Sequence, residues 1–142
     1  MKLVTFFLGV LLVVSCGGGP EPLVYGKDAC HACKMTLVDN RFGAELVTKK
    51  GKVYKFDDVN CLVRFYKAGH VSEQDIQSVL AVDYSATSVL IDATRASYVI
   101  SGEVRSPMGS NAAVFADIAE ARKLNEKLKG KIVGWNEILT SF

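Results

Sequence analysis

The stretch Val53-Tyr54-Lys55-Phe56-Asp57-Asp58 sets the architecture that we expect, because it resembles a second stretch, Ala112-Ala113-Val114-Phe115-Ala116-Asp117. In both stretches a strand-like segment ends in Phe, and an Asp stands two residues later. Apolar residues at helical spacing follow each Asp, and Asp is a favoured N-cap of a helix. We interpret the pair as an internal duplication of a hairpin–helix–strand unit. The alternative is chance similarity between two capped helices.

The first stretch lies within a predicted hairpin and helix. Residues 43–47 and 53–56 have the character of strands on either side of a polar turn at 49–52, which is the pattern of a β-hairpin. The helix is expected to run from Val59 to about Gly69, where Gly ends the apolar spacing. Residues 79–84 are predicted as the next strand.

The second half repeats this order. Its predicted strands are short and lie at 88–92, 97–101, 112–115 and 132–133. A helix opens at Asp117 and ends at Lys129-Gly130, a favoured C-cap, and a last turn of helix is expected at 135–139. The predicted fold class is α+β. It consists of two tandem ββαβ units, at about 36–84 and 88–134, in one compact domain.

The N-terminus has the pattern of a bacterial lipoprotein signal peptide at residues 1–15. Lys2 precedes an apolar stretch at 3–14, which is too short for a transmembrane helix of about 20 residues. Val13-Val14-Ser15-Cys16 resembles a lipobox, in which the Cys thiol is acylated and the peptide is cut before it. An ordinary secretory signal with an incidental Cys is the alternative. Residues 16–22 are rich in Gly and Pro and are interpreted as a lipidated, flexible tether.

Composition limits the function further. The remaining residues, 23–142, form about one domain's worth of chain. With 17 basic and 15 acidic residues and no block of like charge, no nucleic-acid partner is expected. No further segment is apolar enough to cross a bilayer. We therefore expect a lipoprotein anchored in a membrane and facing the periplasm, with inner or outer membrane left open.

The run Cys30-His31-Ala32-Cys33-Lys34-Met35 places two thiols and a thioether within six residues. Thiolate and thioether are soft ligands, which together select Cu(I). Zinc would favour four Cys or His ligands in two separated pairs, and no second C-x-x-C pair is present. Three cysteines besides Cys16 are an odd number for a purely disulfide framework. A Cu(I) site that includes Cys30, Cys33 and Met35 is therefore the favoured interpretation.

A second Met lies in an unusual setting at residues 105–110, Arg-Ser-Pro-Met-Gly-Ser. Pro107 and Gly109 predict a turn, where a Met side chain buries little surface by itself. Met108 is either a gap-filler beneath the loop or a further soft ligand that the second unit contributes. We expect Met108 to lie within reach of the loop at 30–35.

Several motifs together resemble one known family. They are C-x-x-C-x-M at 30–35, Arg41-Phe42-Gly43-Ala44, Phe56-Asp57-Asp58-x-x-Cys61-Leu62, Asp83-Tyr84, Pro107-Met108-Gly109 and Gly130-x-x-x-x-Trp135. With the lipobox, this order is similar to that of the NosL family, lipoproteins that carry copper to nitrous oxide reductase.

The resemblance implies a fold and a function. The fold is a pair of ββαβ units similar to the treble-clef-like part of organomercurial lyase, and the ligands of Cu(I) are Cys and Met. Cys30 and Met35 match the family's Cys-x4-Met element, whereas family members differ at the position of Cys33, so which thiols bind stays open. The expected function is a non-enzymatic, membrane-anchored Cu(I) chaperone. Its partners are the copper ion and a recipient cuproenzyme or its assembly complex.

Three other functions stay open from the residues alone. They are a thiol-disulfide oxidoreductase that uses the C-x-x-C pair, a sensor of zinc or another metal, and a structural lipoprotein whose C-x-x-C is a disulfide. Asp57 and Asp58 are interpreted as hairpin-end and cap residues, or else as a charged face for a partner. Cys61 and Trp135 are predicted to be core residues. Arg41 is expected to pair with an acidic residue that the sequence does not identify.

Overall fold

The structure, a computed structural model, describes residues 18–142. The predicted signal peptide and Cys16 lie outside the described residues. Two antiparallel sheets and three α-helices make up the described part, which confirms the α+β prediction. None of these helices has the length and apolar character that crossing a bilayer requires.

The first unit is a four-stranded sheet with one helix. In chain order its elements are β1 (Ala44–Thr48), β2 (Val53–Phe56), α1 (Val59–Lys67), β3 (Ile76–Val82) and β4 (Leu90–Asp92). The strands lie in the order β2-β1-β3-β4, and each pairs antiparallel with its neighbour. The hairpin partner and the strand after the helix therefore flank the first strand on opposite sides.

The second unit repeats that arrangement with three strands. Its elements are β5 (Ser97–Ile100), β6 (Ala112–Phe115), α2 (Ile118–Leu128) and β7 (Lys131–Val133), and α3 (Trp135–Ser141) closes the chain. The sheet order is β6-β5-β7, again with the first strand in the middle. Two tandem ββαβ units are thus confirmed.

One strand lies in a different sheet from the one the sequence suggested. The sequence pattern places residues 88–92 in the second half, but β4 pairs with β3, and Leu80 faces Asp92 across the ladder. The cause is a tight turn after β3, in which the Asp83 N–H donates to Val89 O at 2.8 Å. Ser88 takes a positive φ of 66° in that turn. The chain therefore folds back onto the first sheet before the second unit begins.

Both helices start as the sequence predicted, and α2 ends one residue early. Asp58 and Asp117 are the N-caps, and their carboxylates accept N–H bonds from Asn60 and Ala119. The C-cap of α2 is Lys129 in the left-handed conformation at φ 51°. A Cβ at Gly130 would collide with Ile100 O. Gly130 is therefore needed for the close approach to β5 rather than for the cap.

Two aspartates join the units. Asp58 Oδ2 accepts hydrogen bonds from the N–H of Met108 at 2.8 Å and of Ser110 at 3.3 Å. On the other side of the junction, Asp83 Oδ2 accepts the Ala116 N–H at 3.1 Å. Both carboxylates are buried, and each one satisfies amides of the second unit. The junction between the units is therefore held at two places.

The described part of the predicted tether, residues 18–22, lies against the first hairpin. The Glu21 N–H donates to Glu45 Oε2 on β1 at 3.2 Å. On β2, Lys55 Nζ donates to Pro22 O at 3.0 Å and pairs with Glu21 at 3.3 Å. This part of the tether is held by the domain, whereas composition alone predicted a free linker.

Candidate metal centre

A tight loop carries the two thiols of the C-x-x-C run. Ala29 and Thr36 form an isolated antiparallel bridge, and within it the Cys30 N–H donates to Met35 O at 2.8 Å. The His31 N–H donates to Lys55 O on β2 at 2.7 Å. These backbone bonds close the loop and attach it beside the end of β2.

Four side chains converge where this loop meets the start of α1. The sulfurs of Cys30, Cys33 and Cys61 and a carboxylate oxygen of Asp57 all lie within 4.8 Å of one another. Asp57 directly follows β2, and Cys61 is the third residue of α1. Cys33 Sγ lies 3.5 Å from Asp57 Oδ1. A strand end, a helix start and a loop therefore build one cluster.

Burial differs among the four groups. Cys30 is fully buried, and Cys61 and Asp57 are 5% and 3% exposed. Cys33 is partly exposed and lies at the outer side of the cluster. An ion or a partner's ligand would therefore reach the cluster through Cys33.

Hydrogen bonds to sulfur make Cys30 the anionic centre of the cluster. The neighbouring Cys61 thiol lowers the pKa of Cys30 well below its ordinary value, against the effect of burial. The Cys33 N–H adds a weaker donor at 3.5 Å. The start of a helix also favours nearby negative charge. These surroundings therefore favour the thiolate form of Cys30.

The pKa values of the other three groups are raised around Cys30. The hydrogen bond to Cys30 raises the pKa of Cys61, and burial raises the pKa of Cys33. Burial, followed by the proximity of Cys30, raises the pKa of Asp57 to about 6. A metal cation that replaced these protons would relieve the repulsion among the anions, so metal binding should release protons.

The structure brings together some of the residues that the sequence proposed as ligands. Cys30 and Cys33 meet in the cluster. Met35, in the same loop, is 55% exposed. Met108 is partly buried, and its carbonyl accepts from Asn60 Nδ2 in the first turn of α1 at 3.1 Å. The turn at 105–110 therefore lies against the same helix start as the cluster, and sulfur ligation by the two Met residues stays a prediction.

Sequence reasoning missed Asp57 and Cys61 as members of the cluster. Cys61 is buried, as predicted, but against other sulfurs instead of only apolar groups. Asp58 is the helix cap, as predicted, while Asp57 turns toward the thiols. The available signal was the spacing Asp57-x-x-x-Cys61 across a helix start, since residues four apart lie on one side of a helix.

The histidines and Arg41 lie apart from this centre. The His31 ring packs edge-on against Tyr54 and Phe65 at centroid distances of 4.8 and 5.3 Å. Burial, then Lys34 and Lys52, lower the pKa of His31. Arg41 pairs with Asp39 at 2.6 Å, which identifies the acidic partner that the sequence left open.

Comparisons with known proteins found one matching family and a solved structure with a similar fold. The family model named NosL matches residues 23–142. Among solved structures, the copper chaperone NosL from Shewanella denitrificans superposes with a TM-score of 0.70 at 24% identity, over 84% of this chain and 94% of that one. That likeness is one of fold. A search of curated proteins found no match.

Proposed function

Because this chain belongs to the NosL family, we propose that it is a copper chaperone anchored to a membrane and facing the periplasm. It holds Cu(I) at Cys30, Cys33 and Cys61 and passes the ion to a cuproenzyme, in the assembly of nitrous oxide reductase. Lipid on Cys16 provides the anchor. The matching solved structure is that of a copper chaperone, which supports the choice of ion.

The convergence of three thiols is the observation that carries this proposal. Metal–thiolate bonds of about 2.3 Å place two ligands of one ion no more than about 4.6 Å apart. The atoms of the cluster already lie within 4.8 Å of one another. Shifts of a few tenths of an ångström would complete a site. Soft thiolates select Cu(I) over hard cations.

Unequal burial suits delivery better than storage. Cys30 is fully buried, while Cys33 is partly exposed and Met35 lies open beside it. A recipient's ligands would replace the accessible Cys33 first, and Cys30 would release the ion last. Met35 and Met108 would act as neutral, more easily displaced ligands at the outer side.

The burial of Cys30 weighs against a thiol-disulfide enzyme. Attack on a partner's disulfide needs an exposed thiolate of lowered pKa. Here the thiol of lowered pKa is buried, and the accessible thiol, Cys33, has a raised pKa. The arrangement therefore protects the thiolate from disulfide exchange while it stays available to a small ion.

Because the cluster includes the Asp57 carboxylate, zinc is the ion that competes most directly with Cu(I) for this site. Three thiolates and a carboxylate oxygen also form a tetrahedral zinc set, whereas Cu(I) gains little from a hard oxygen ligand. The two ions should therefore depend differently on Asp57, and that difference can be measured.

Anaerobic titration of the reduced Cys16→Ser chain tests the proposal. Cu(I) is added against a competing chelator, and zinc is titrated in parallel. We expect about one Cu(I) per chain, bound more tightly than zinc, and loss of tight binding after thiol oxidation. A chain that ignores Cu(I) but reduces insulin disulfides rapidly would overturn the proposal. For the recipient, cells that lack the chain should contain nitrous oxide reductase deficient in copper.

A further inference from the structure

The contacts of residues 18–22 with the first hairpin determine where the chain enters the domain. From Leu23 back to Gly18, the segment runs along the first hairpin toward its turn. Leu23 packs at Gly43, directly before β1, and Glu21 bonds to Glu45, the second residue of that strand. At the far end, the Cα of Gly18 lies 3.2 Å from where a Cβ of Gly51 would stand. The tether therefore leaves the domain at the β1–β2 turn.

Two features make this contact specific. Gly51 has a φ of +81°, which the turn requires and which L side chains rarely adopt. A Cβ on Gly18 would stand 2.6 Å from the Gly51 Cα, so glycine is needed on both sides. Lys55 holds the middle of the segment through Pro22 O and Glu21. The Gly18–Gly51 backbone contact and the Lys55–Glu21 ion pair thus hold the tether against the first hairpin.

The turn that the tether reaches is basic. Lys49, Lys50 and Lys52 are all exposed there. Lys49 Nζ donates to Gln74 O at 2.5 Å, and Lys52 lies over the Tyr54 ring at 4.6 Å. The acidic residue beside this turn is Asp75, in the segment before β3, whose carbonyl accepts the Lys49 N–H at 2.8 Å. Three lysines therefore outnumber the acidic groups beside the chain's exit.

We propose that this basic turn, residues 49–52, is the surface that rests on the bilayer and binds anionic phospholipid headgroups. The inference rests on the proposed lipid at Cys16. Cys16 lies two positions before Gly18, and two extended residues span at most about 7 Å. Acyl chains attached there must therefore enter the bilayer close to the turn. Lysines at that level attract anionic headgroups.

This orientation sets the direction that the metal centre faces. The turn lies at one end of β2, and Asp57 follows the other end, four residues beyond Val53. Four extended residues span about 13 Å. With the turn on the headgroups, the cluster of Cys30, Cys33, Asp57 and Cys61 faces away from the bilayer. A periplasmic recipient can then reach Cys33 without displacing lipid.

Lysine footprinting of the lipidated chain in vesicles tests the orientation. The chain is reconstituted in vesicles of phosphatidylglycerol and phosphatidylcholine, acetylated briefly and analysed by mass spectrometry. We expect several-fold protection of Lys49, Lys50 and Lys52 relative to detergent, and none of Lys123 and Lys127 on α2. Protection of the α2 lysines, with the turn freely acetylated, would overturn the proposal.

Sedimentation of unlipidated residues 16–142 carrying Cys16→Ser, which lack the apolar signal segment, with the same vesicles separates the surface from the anchor. Each lysine near an anionic bilayer contributes about five-fold, so K49Q/K50Q/K52Q should lower the partition coefficient by about 100-fold. The matched triple K123Q/K127Q/K129Q removes equal charge and should change it by less than about five-fold. Equal losses in both triples would overturn the proposal.

The triple K49R/K50R/K52R changes the same positions but keeps their charge. It controls for misfolding caused by substitution there, and it should bind vesicles like the native chain. Failure of this triple to bind, while it folds normally, would also count against the proposal. Cu(I) affinity should be unchanged in all three triples. A chain that shows the lysine protection yet never binds Cu(I) would disprove the proposed function and leave the orientation supported.

Discussion

The two ββαβ units have the same strand order but carry different side chains at equivalent positions. When Phe56 is matched with Phe115, Asp57 corresponds to Ala116 and Cys61 corresponds to Glu120. The first unit thus has a carboxylate and a thiol at the helix start, where the second has a methyl group and an exposed carboxylate. One copy of the duplicated unit supplies the chemistry, and the other supplies the turn that packs against it.

The N-caps of the two helices, Asp58 and Asp117, also differ in burial and in hydrogen bonding. Asp58 is fully buried and accepts hydrogen bonds from the second unit, whereas Asp117 is exposed and caps only its own helix. Within the sheets, Glu45 pairs with Lys55 where Tyr98 pairs with Val114. The first unit therefore contains buried charges that the second lacks. Asp58 finds its partners in the second unit, whereas Glu45 accepts one hydrogen bond, from the Glu21 N–H, and its Oε1 has no partner among the described residues.

Removing the central thiolate should have the largest effect. Four-ligand zinc sites bind with about 10–16 kcal/mol, or about 2.5–4 kcal/mol per ligand. Cys30→Ser should therefore weaken Cu(I) binding by about 100- to 1,000-fold in a chelator competition. Glu120→Ser, at the position equivalent to Cys61 in the second unit, serves as the control and should leave the affinity unchanged. Equal affinities for native chain and Cys30→Ser would mean that the metal lies elsewhere.

The two caps should differ in their contribution to stability. Asp58→Ala removes a cap worth about 1 kcal/mol and leaves buried amides of the second unit without acceptors, at about 1–3 kcal/mol more. We expect a total loss of about 3 kcal/mol. Asp117→Ala should cost only about 1 kcal/mol. Urea unfolding of the metal-free, reduced chains measures both losses. Similar losses would show that the hydrogen bonds between the units contribute nothing.

Glu45 should make stability depend on pH. Burial raises its pKa from the ordinary 4.5 to about 7, so the folded chain keeps this proton to higher pH than the unfolded chain. Stability attributable to Glu45 is then lost between about pH 4.5 and 7 and stays low above that range. Glu45→Gln should raise the free energy of unfolding at pH 8 by about 1–3 kcal/mol and flatten the profile. The exposed Glu126→Gln on α2 is the control and should leave the profile unchanged.

Asp57 should separate the two candidate ions. Asp57→Asn removes a hard anionic oxygen, so zinc affinity should fall about 10-fold or more, while Cu(I) affinity changes by less than about 3-fold. Parallel titrations with both ions give the ratio. A loss of Cu(I) affinity as large as that of zinc would mean that the carboxylate ligates Cu(I) or holds the thiols in place.

The smallest effects are expected at the methionines. A thioether is neutral and a weaker ligand than thiolate, so Met35→Ser should weaken Cu(I) binding about 10-fold and Met108→Ser by less. X-ray absorption at the copper edge should show one fewer sulfur neighbour in a variant that has lost a ligand. An unchanged sulfur shell with unchanged affinity in Met108→Ser would return Met108 to the role of gap-filler.

Local signals predicted most of the fold. The Phe-x-Asp stretches and the helical spacing after them predicted both hairpins and both N-caps, because these depend on neighbouring residues. The position of β4 was not predictable in this way, since its pairing depends on how the turn after Asp83 directs the chain. The docking of residues 18–22 was also missed, because composition does not reveal that Glu45 and Lys55 provide partners for a Gly/Pro segment.

Two of the four residues in the metal cluster were predictable, because they are neighbours in the sequence. Cys30 and Cys33 form a contiguous motif, whereas Asp57 and Cys61 join them only after the loop packs beside β2 and α1. A lone Cys among apolar helix residues usually indicates core packing. Its role here comes from a tertiary contact of about 30 residues' separation in the chain. Short-range patterns cannot specify such a contact.

The two aspartate bridges at the junction have a consequence for cooperativity. Asp58 reaches across to Met108 and Ser110, and Asp83 reaches across to Ala116. A unit of about 50 residues buries too little surface to be robust alone, so detaching either one would expose carboxylates and amides together. The two units should therefore melt in a single transition. The amides of Met108 and Ala116 should exchange with deuterium only when the whole domain opens.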